Sequence, residues 1–424
     1  MANYELRIET SEMRKALDVL ATVTPRKSML PILSDACVRY DRERKLFTME
    51  ASNTEQFMVI ECWKADEKAD GGRRTWMFHD SHGKGDDKTQ PLTAFCIDVA
   101  LFREAFDIPS MPATCYLELN DDGSGTVRVT YGKGEFTLPV QSAAEFPVIP
   151  QVVEKDGEHS GTISPVVKFS METSKILPDI LSSRVCSAND ELRPVLNTVC
   201  VDCFHDHAIV VASDGHSLFR KGIDTGMGWL RYGEFPADSN VKVLIPKEAL
   251  APLQKALGSS DSITLTADTI RICIESTDGI TKLITRAVDG NYPNYESVIP
   301  RDQKFSLLID RQDLRVTLRR MSLFSEEASN MCILRYEDEI LSLLATDNGR
   351  GRNSSEQVTV ISSDGDTPEK FEIGCKISTL TKLLDCIGTD NLMVNLSEPN
   401  QPIILKEDAQ LSSLTLLVMP MLVQ

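Results

Sequence analysis

Ala36-Cys-Val-Arg-Tyr-Asp-Arg-Glu-Arg-Lys-Leu-Phe-Thr-Met-Glu-Ala-Ser-Asn53 reads as an apolar strand, a short charged turn and a second strand. The same plan returns in Val199-Cys-Val-Asp-Cys-Phe-His-Asp-His-Ala-Ile-Val-Val-Ala-Ser-Asp214. It returns again in Met331-Cys-Ile-Leu-Arg-Tyr-Glu-Asp-Glu-Ile-Leu-Ser-Leu-Leu-Ala-Thr-Asp347. Apolar runs flanking a polar turn are the signature of a β-hairpin. Each hairpin ends in Ala, a hydroxyl residue, and Asn or Asp.

A helical pattern precedes each hairpin. Met13, Ala16, Leu17 and Leu20 fall on one face in the first. Ile176, Leu177, Ile180 and Leu181 do so in the second, and Leu314, Leu318 and Met321 in the third. Pro178 lies inside the second pattern, where a kink or a delayed start is expected. Each hairpin is followed by another helix and strands. The helices are expected near Val99–Phe106, Lys247–Leu257 and Ile377–Ile387. The strand pairs are Cys115–Leu119 with Thr126–Tyr131, Ser262–Thr266 with Thr269–Glu275, and Leu392–Leu396 with Pro402–Leu405. The repeat therefore spans a domain-sized segment, too long for a solenoid unit of about 20–50 residues. We expect an α+β protein of three similar domains, 1–150, 162–301 and 303–424. Residues 151–161 would be a linker, and a polar Gly/Asp/Lys-rich insertion would occupy about 64–90.

Composition is that of a globular chain, 42% hydrophobic and 25% charged. There is no run of about 20 apolar residues of the kind a bilayer span needs. The N-terminal segment alternates like a strand and has no signal-peptide core, so a cytoplasmic protein with reduced cysteines is expected. The formal net charge of −18 argues against a chain coated in nucleic acid. Cations cluster on the helices, however. Arg311, Arg315 and Arg319 form a stripe at four-residue spacing, opposite Leu314 and Leu318. Arg14 and Lys15 lie off the apolar face of the first helix, followed by Arg26 and Lys27, and Arg184 ends the third. Acidic residues concentrate in turns and loops: Asp66, Glu67, Asp86, Asp87, Asp121, Asp122, Glu337, Asp338 and Glu339. Each such helix alone reads as a solvated face. Recurrence in every repeat suggests a basic surface that grips phosphates without reading bases.

Leu30-Pro-Ile-Leu-Ser-Asp35, Asp190-Glu-Leu-Arg-Pro-Val-Leu-Asn197 and Ala212-Ser-Asp-Gly-His-Ser-Leu218 resemble the bacterial sliding clamp, the DNA polymerase III beta subunit family. So do Asp289-Gly-Asn-Tyr-Pro-Asn-Tyr-Glu-Ser-Val-Ile-Pro300 and Val418-Met-Pro-Met421. The resemblance implies three clamp domains, each of two helix-plus-antiparallel-sheet half-repeats, in a head-to-tail homodimeric ring. Twelve helices spaced about 10 Å apart would enclose a lumen of roughly 28 Å, wide enough for a duplex roughly 20 Å across. It also implies a partner-peptide pocket of Leu196, Ser213, Gly215, His216, Leu218, Pro246, Leu250, Leu417, Val418, Met419, Pro420 and Met421 for the polymerase alpha subunit and the clamp loader. Here Ser217 and Leu422 stand where the family often has Arg. The alternative is that Leu417–Met421 is only a buried last strand. Lys27 and Arg193 take duplex-facing positions, and Phe136 and Leu138 would meet Leu323 and Phe324 at the dimer seam.

Enzyme chemistry is poorly supported. Cys200 and Cys203 with His205 and His207 have the look of a zinc site, but strand residues three apart point to opposite faces. Asp214 with His216 has no nucleophile in a recognisable elbow, and no phosphate-binding Gly loop occurs. His79 and His82 sit in the insertion. No cofactor, metal or catalytic residue is expected. The rivals are a peptide-binding scaffold that never encircles DNA and a hydrolase using His216 and Asp214.

Overall fold

The computed structural model describes residues 2–41, 46–64, 78–80, 94–107, 112–120, 122–152, 162–163, 166–204, 207–224, 240–410 and 412–423. The first copy of the repeat comprises β1 (Ala2–Glu9), α1 (Thr10–Leu20), β2 (Asp35–Asp41), β3 (Leu46–Ser52), β4 (Gln56–Lys64), β5 (Phe78–Asp80), β6 (Ala94–Asp98), α2 (Val99–Ala105), β7 (Pro112–Leu119), β8 (Gly125–Tyr131) and β9 (Gly134–Ser142). After the short β10 (Gln151–Val152) and β11 (Thr162–Ile163) comes the second. It holds β12 (Val167–Glu172), α3 (Thr173–Ser183), β13 (Thr198–Cys203), β14 (His207–Ser213), β15 (Ser217–Asp224), β16 (Val241–Pro246), α4 (Leu250–Leu257), β17 (Ser262–Ala267), β18 (Arg271–Ser276) and β19 (Thr281–Arg286). The third holds β20 (Phe305–Asp310), α5 (Arg311–Met321), β21 (Met331–Glu337), β22 (Ile340–Asp347), β23 (Arg352–Val358), β24 (Val360–Gly365), β25 (Lys370–Lys376), α6 (Ile377–Leu384), β26 (Asn391–Leu396), β27 (Ile403–Glu407) and β28 (Leu414–Val418).

All three expected hairpins and all three expected strand pairs form, with antiparallel registers such as Cys37↔Glu50, Cys200↔Val211 and Ile333↔Leu344. The predicted apolar helix faces are buried: Leu17, Leu20, Ile176, Ile180, Leu314 and Leu318 are each at most 1% exposed. Strand-to-helix junctions are capped where a strand ends in Asp. Asp98 accepts the Leu101 backbone N–H and Asp310 that of Asp313, each at 2.7 Å. Of the two expectations at Pro178 the delayed start does not hold, because α3 starts at Thr173 and continues through the proline. An interior proline removes a single backbone bond, and the buried face of Ile176, Leu177 and Ile180 holds the helix regardless. The insertion contributes β5, which pairs with β1. Residues 65–77 and 81–93 of it, with Asp66, Glu67, His82, Asp86 and Asp87, lie outside the described residues, as do linker residues 153–161, Asp121 and His205.

The chain divides into two compact units. One contains Met1–Ser174 and Glu248–Ala287; the other contains Lys175–Met227, Phe235–Lys247 and Val288–Gln424. In the first unit a 13-stranded sheet runs β12-β17-β18-β19-β4-β3-β2-β6-β9-β8-β7-β1-β5. It is continuous through a pairing between copies, with β4 of the first antiparallel to β19 of the second (Thr281↔Ile60 to Thr285↔Gln56). In the second unit a nine-stranded sheet runs β16-β13-β14-β15-β28-β27-β26-β20-β24. There β15 of the second copy pairs with β28 of the third (Ser217↔Val418 to Lys221↔Leu414). A separate four-stranded sheet runs β23-β22-β21-β25. Within each unit, helices pack beside helices: α1 against α2, and α5 against α6.

The recurrent Ala–hydroxyl–Asn/Asp ending is a turn device. Asn53 Oδ1 accepts from the Glu55 and Gln56 amides at 3.1 and 2.7 Å, and Ser52 Oγ from Thr54 N–H at 2.9 Å. Asp214 Oδ1 accepts from the His216 and Ser217 amides at 2.9 and 2.7 Å. Asp347 Oδ1 accepts from Arg350 N–H at 3.1 Å. A side-chain oxygen closing its own turn is what Asn and Asp do best. The second copy places Gly215 at φ +86°, whereas the first forces Thr54 to φ 78° at the same point. A β-branched residue there is strained by about 1–2 kcal/mol. Thr54→Gly should therefore raise the denaturant midpoint, and an unchanged or lower midpoint contradicts the strain.

Asp35 is 2% exposed and one of its carboxylate oxygens has no hydrogen-bond partner. It faces Asp98 across the β2–β6 ladder. Burial, and then the Asp98 charge, push its pKa from 3.8 to about 6. The folded state thus keeps a proton that the unfolded state gives up, and stability falls as pH rises from 3.8 to about 6. Denaturant titrations across this window should show that slope reduced in Asp35→Asn. An identical slope in the two proteins contradicts it.

Candidate functional site

The apolar segments expected to form a pocket converge within the second unit. Leu218 lies opposite Leu417, and Ser217 opposite Val418, on the β15–β28 ladder. The chain then turns out of the strand, with Met419 N–H donating to His216 O at 2.8 Å. Beneath lies a core of Leu196, Leu218 and Leu417 with Tyr292 and Tyr295. Leu196, Leu218, Leu417 and Val418 are at most 6% exposed. Gly215 and His216 are exposed, while Ser213, Pro246, Pro420 and Met421 are half-buried. Met419 is 39% exposed. The two readings of the C-terminus thus divide between residues: Leu417 and Val418 are core, and Met419 onward is surface.

Leu250 of the expected set lies on a different element. It is 0% exposed on the buried face of α4, with Leu253 and Leu257, and belongs to the first unit. The sequence reading also missed a contributor. Tyr292 and Tyr295 pack into the same cluster with Val288 and Ile299 beside them, while Val298 remains 50% exposed. Arg220 Nε donates to Glu296 at 2.8 Å and fixes this segment against β15. The Asp289–Pro300 motif was visible in the sequence; its seat against the β15–β28 ladder was not.

The tail is held from its far side too. Met421 N–H donates to Gly374 O at 2.8 Å, forming an isolated bridge to β25. A Cβ on Gly374 would sit 2.6 Å from Met421 O, so the close approach requires glycine.

Asp214 does not serve a catalytic histidine. Its Oδ1 also accepts from Ser217 Oγ at 3.0 Å, so the carboxylate closes the turn that displays His216. Cys200 and Cys203 are buried on β13, and His207 stacks on Phe204 with ring centroids 4.5 Å apart. Among the described residues no group of three or more His, Cys, Asp or Glu is placed to hold a metal ion. No helix among them is long and apolar enough to cross a membrane.

The expected DNA-facing cations differ in freedom. Lys15, Arg26, Lys27, Arg184 and Arg319 are exposed. Arg193 pairs with Asp190 at 2.7 Å and Arg315 with Asp385 at 2.9 Å, both on the surface. Exposed pairs of this kind hold by only about 0–1 kcal/mol and exchange readily for a phosphate. Arg14 is different. Its guanidinium lies 2.9 Å from Asp107 and 3.5 Å from Asp18, and its side chain is 28% exposed. Arg103 joins the same acid from α2, so Arg14 braces α1 against α2. Of the seam candidates, Leu138 is 9% exposed and Phe136 packs edge-on to Phe106 at 5.5 Å. Leu323 is 66% exposed and Phe324 half-buried.

Comparison with known proteins agrees on one family. The profile of the DNA polymerase III beta subunit central domain matches residues 171–294, and that of the C-terminal domain matches residues 296–422. The beta sliding clamp of Pseudomonas aeruginosa is 27% identical over 296 residues, 69% of this chain and 73% of that protein. The beta sliding clamp of Pseudomonas putida is 23% identical over 418 residues, 98% of each. A crystal structure of the DNA polymerase sliding clamp from Pseudomonas aeruginosa superposes with a TM-score of 0.77 at 21% identity, covering 99% of this chain and all of that one. That from Bacillus subtilis does so with a TM-score of 0.78 at 17% identity, covering all of both. The fold is the repeated α+β clamp architecture, and the chain belongs to the DNA polymerase III beta subunit family, the bacterial beta sliding clamps.

Proposed function

We propose that two copies of this chain close head to tail into a ring around duplex DNA and tether a polymerase to it. Sliding clamps are non-catalytic processivity subunits of the polymerase holoenzyme, and this chain is one of them. Three clamp domains, 1–150, 162–301 and 303–424, would make up each copy, and no enzymatic step or cofactor is required of it.

The observation that carries the ring is a pattern in strand pairing. The last strand of the first hairpin sheet, β4, pairs with β19; its counterpart β15 pairs with β28. Both pairings join one copy of the repeat to the next. By the same rule the third copy's β23 requires a strand equivalent to β19 and β28. That strand is β9 of a second chain. Among the described residues β23 pairs only with β22, and β9 meets β6 only at Phe95↔Ser142 and Cys96↔Gln141. Open edges of this kind are templates for pairing. A heterologous contact that closes after two subunits gives a ring. Phe136 and Leu138 lie on β9. Arg352, which begins β23, donates to Leu323 O at 3.4 Å, so all four seam candidates border the two edges.

The exposed cations Lys15, Arg26, Lys27, Arg184 and Arg319, with Arg193 and Arg315 released from their weak pairs, would face the phosphates. A chain of net charge −18 then holds DNA by enclosure and not by tight adhesion, and the ring stays free to slide. When loaded by a clamp loader, the protein should remain on nicked circular DNA and leave once the circle is linearised. Equal retention on the linear form would contradict encirclement.

The cleft around the β15–β28 ladder would receive short apolar peptides from the polymerase alpha subunit and the clamp loader. Its floor would be the buried Leu196, Leu218 and Leu417, and Met419 and Met421 would supply a rim that adapts to varied anchors. Leu422 is 88% exposed and leaves the rim without the family's cation. Deleting residues 419–424 should abolish binding of a polymerase-derived peptide, measured by fluorescence anisotropy, while leaving the solution mass of the dimer unchanged. Unaltered affinity would remove this site from the account.

A further inference from the structure

Two copies of the repeat set a pair of cysteines directly across a β-ladder. In the first, Cys37 on β2 faces Cys96 on β6. In the third, Cys332 on β21 faces Cys375 on β25. The positions are equivalent, each joining the first strand of the hairpin to the strand that precedes the second helix. In the second copy the same place holds Cys200 opposite Leu244. All four paired cysteines are 0% exposed, and the Cys332 and Cys375 sulfurs are 3.5 Å apart. Residues directly opposed on antiparallel strands have Cα atoms about 4.5–5.5 Å apart, within the span a disulfide bridges.

Cysteine also serves as a small apolar core residue, and Cys200 against Leu244 fits that role. Two features set the other pairs apart. Sulfur meets sulfur twice, at matching points of the repeat. In addition, β25 is the outer strand of its four-stranded sheet, and the C-terminal tail bridges its edge at Gly374 through Met421. We propose that Cys332–Cys375 and Cys37–Cys96 are dithiol sites that a hydroperoxide closes to cross-strand disulfides, with the tail as the cover over the first.

The chemistry is a two-electron oxidation. One sulfur attacks the peroxide, breaking the O–O bond to give a sulfenic acid and releasing an alcohol, or water from hydrogen peroxide. The facing sulfur then displaces hydroxide from the sulfenic sulfur. An S–S bond forms, an S–O bond breaks, and the displaced hydroxide leaves as water with the second thiol's proton. Burial and the neighbouring sulfur hold the Cys375 thiol protonated, so attack proceeds from the opened strand edge and the cover sets the rate.

The test treats the full-length protein with excess hydrogen peroxide in non-denaturing buffer. The sample is then denatured, remaining thiols are alkylated and peptides are mapped by mass spectrometry. Cross-linked peptides joining Cys332 to Cys375 and Cys37 to Cys96 are expected, reversible by dithiothreitol, with Cys200 still alkylated. Cys375→Ser should lose only its own link. A chain ending at Val418 should form the Cys332–Cys375 link several-fold faster. Oxidation of Cys200 before either pair links, or links to other cysteines, would overturn the dithiol assignment. An unchanged rate in the shortened chain would overturn the cover.

Discussion

Antiparallel pairing between the last strands of successive repeats determines what this molecule can be. β4 with β19 and β15 with β28 turn separate hairpin sheets into continuous ones. A domain made of two helices and eight strands could bury its core alone. It would then leave strand edges exposed, and exposed edges recruit other strands. Among the described residues this chain pairs four such edges internally, on β4, β19, β15 and β28, and leaves the corresponding edges of β9 and β23. A polymer of repeats with one edge left at each end forms either an open filament or a closed ring.

The helices answer a different constraint. Each buries an apolar stripe and turns its remaining face away from the sheets. In α5 that face carries Arg315 and Arg319, while Leu314, Thr317, Leu318 and Met321 are buried. Acidic residues beside the cations, Asp385 just after α6 and Asp190 in the loop before β13, temper them through weak surface pairs. The result suits a surface that meets phosphates briefly. Strong binding would oppose sliding, and the strongly negative whole chain discourages adhesion elsewhere.

Local structure was legible in the sequence because its periods are short. Alternation around a polar turn identified the hairpins, and four-residue spacing identified the buried faces of α1, α3 and α5. The Ala–hydroxyl–Asn/Asp ending was recognisable as a motif, and its meaning as a turn closed by Asn53 or Asp214 needed coordinates. Sites assembled from distant segments were less legible. Leu250, at the start of α4, is fully buried, and burial alone does not separate it from Leu196 and Leu218 of the same expected set. Tyr292 and Tyr295 were missed as pocket members because their packing against Leu218 and Leu417 is set by the β15–β28 ladder. The pairing of Arg14 with Asp18 and Asp107 was not legible either, because Asp107 lies far along the chain.

Electron microscopy of the protein alone in solution bears most directly on the central claim, that β9 and β23 edges of two chains satisfy each other. The account predicts closed rings of six similar lobes around a hole of roughly 28 Å, the width that twelve packed helices enclose. Single chains, open arcs or extended filaments at concentrations where the protein is assembled would contradict it.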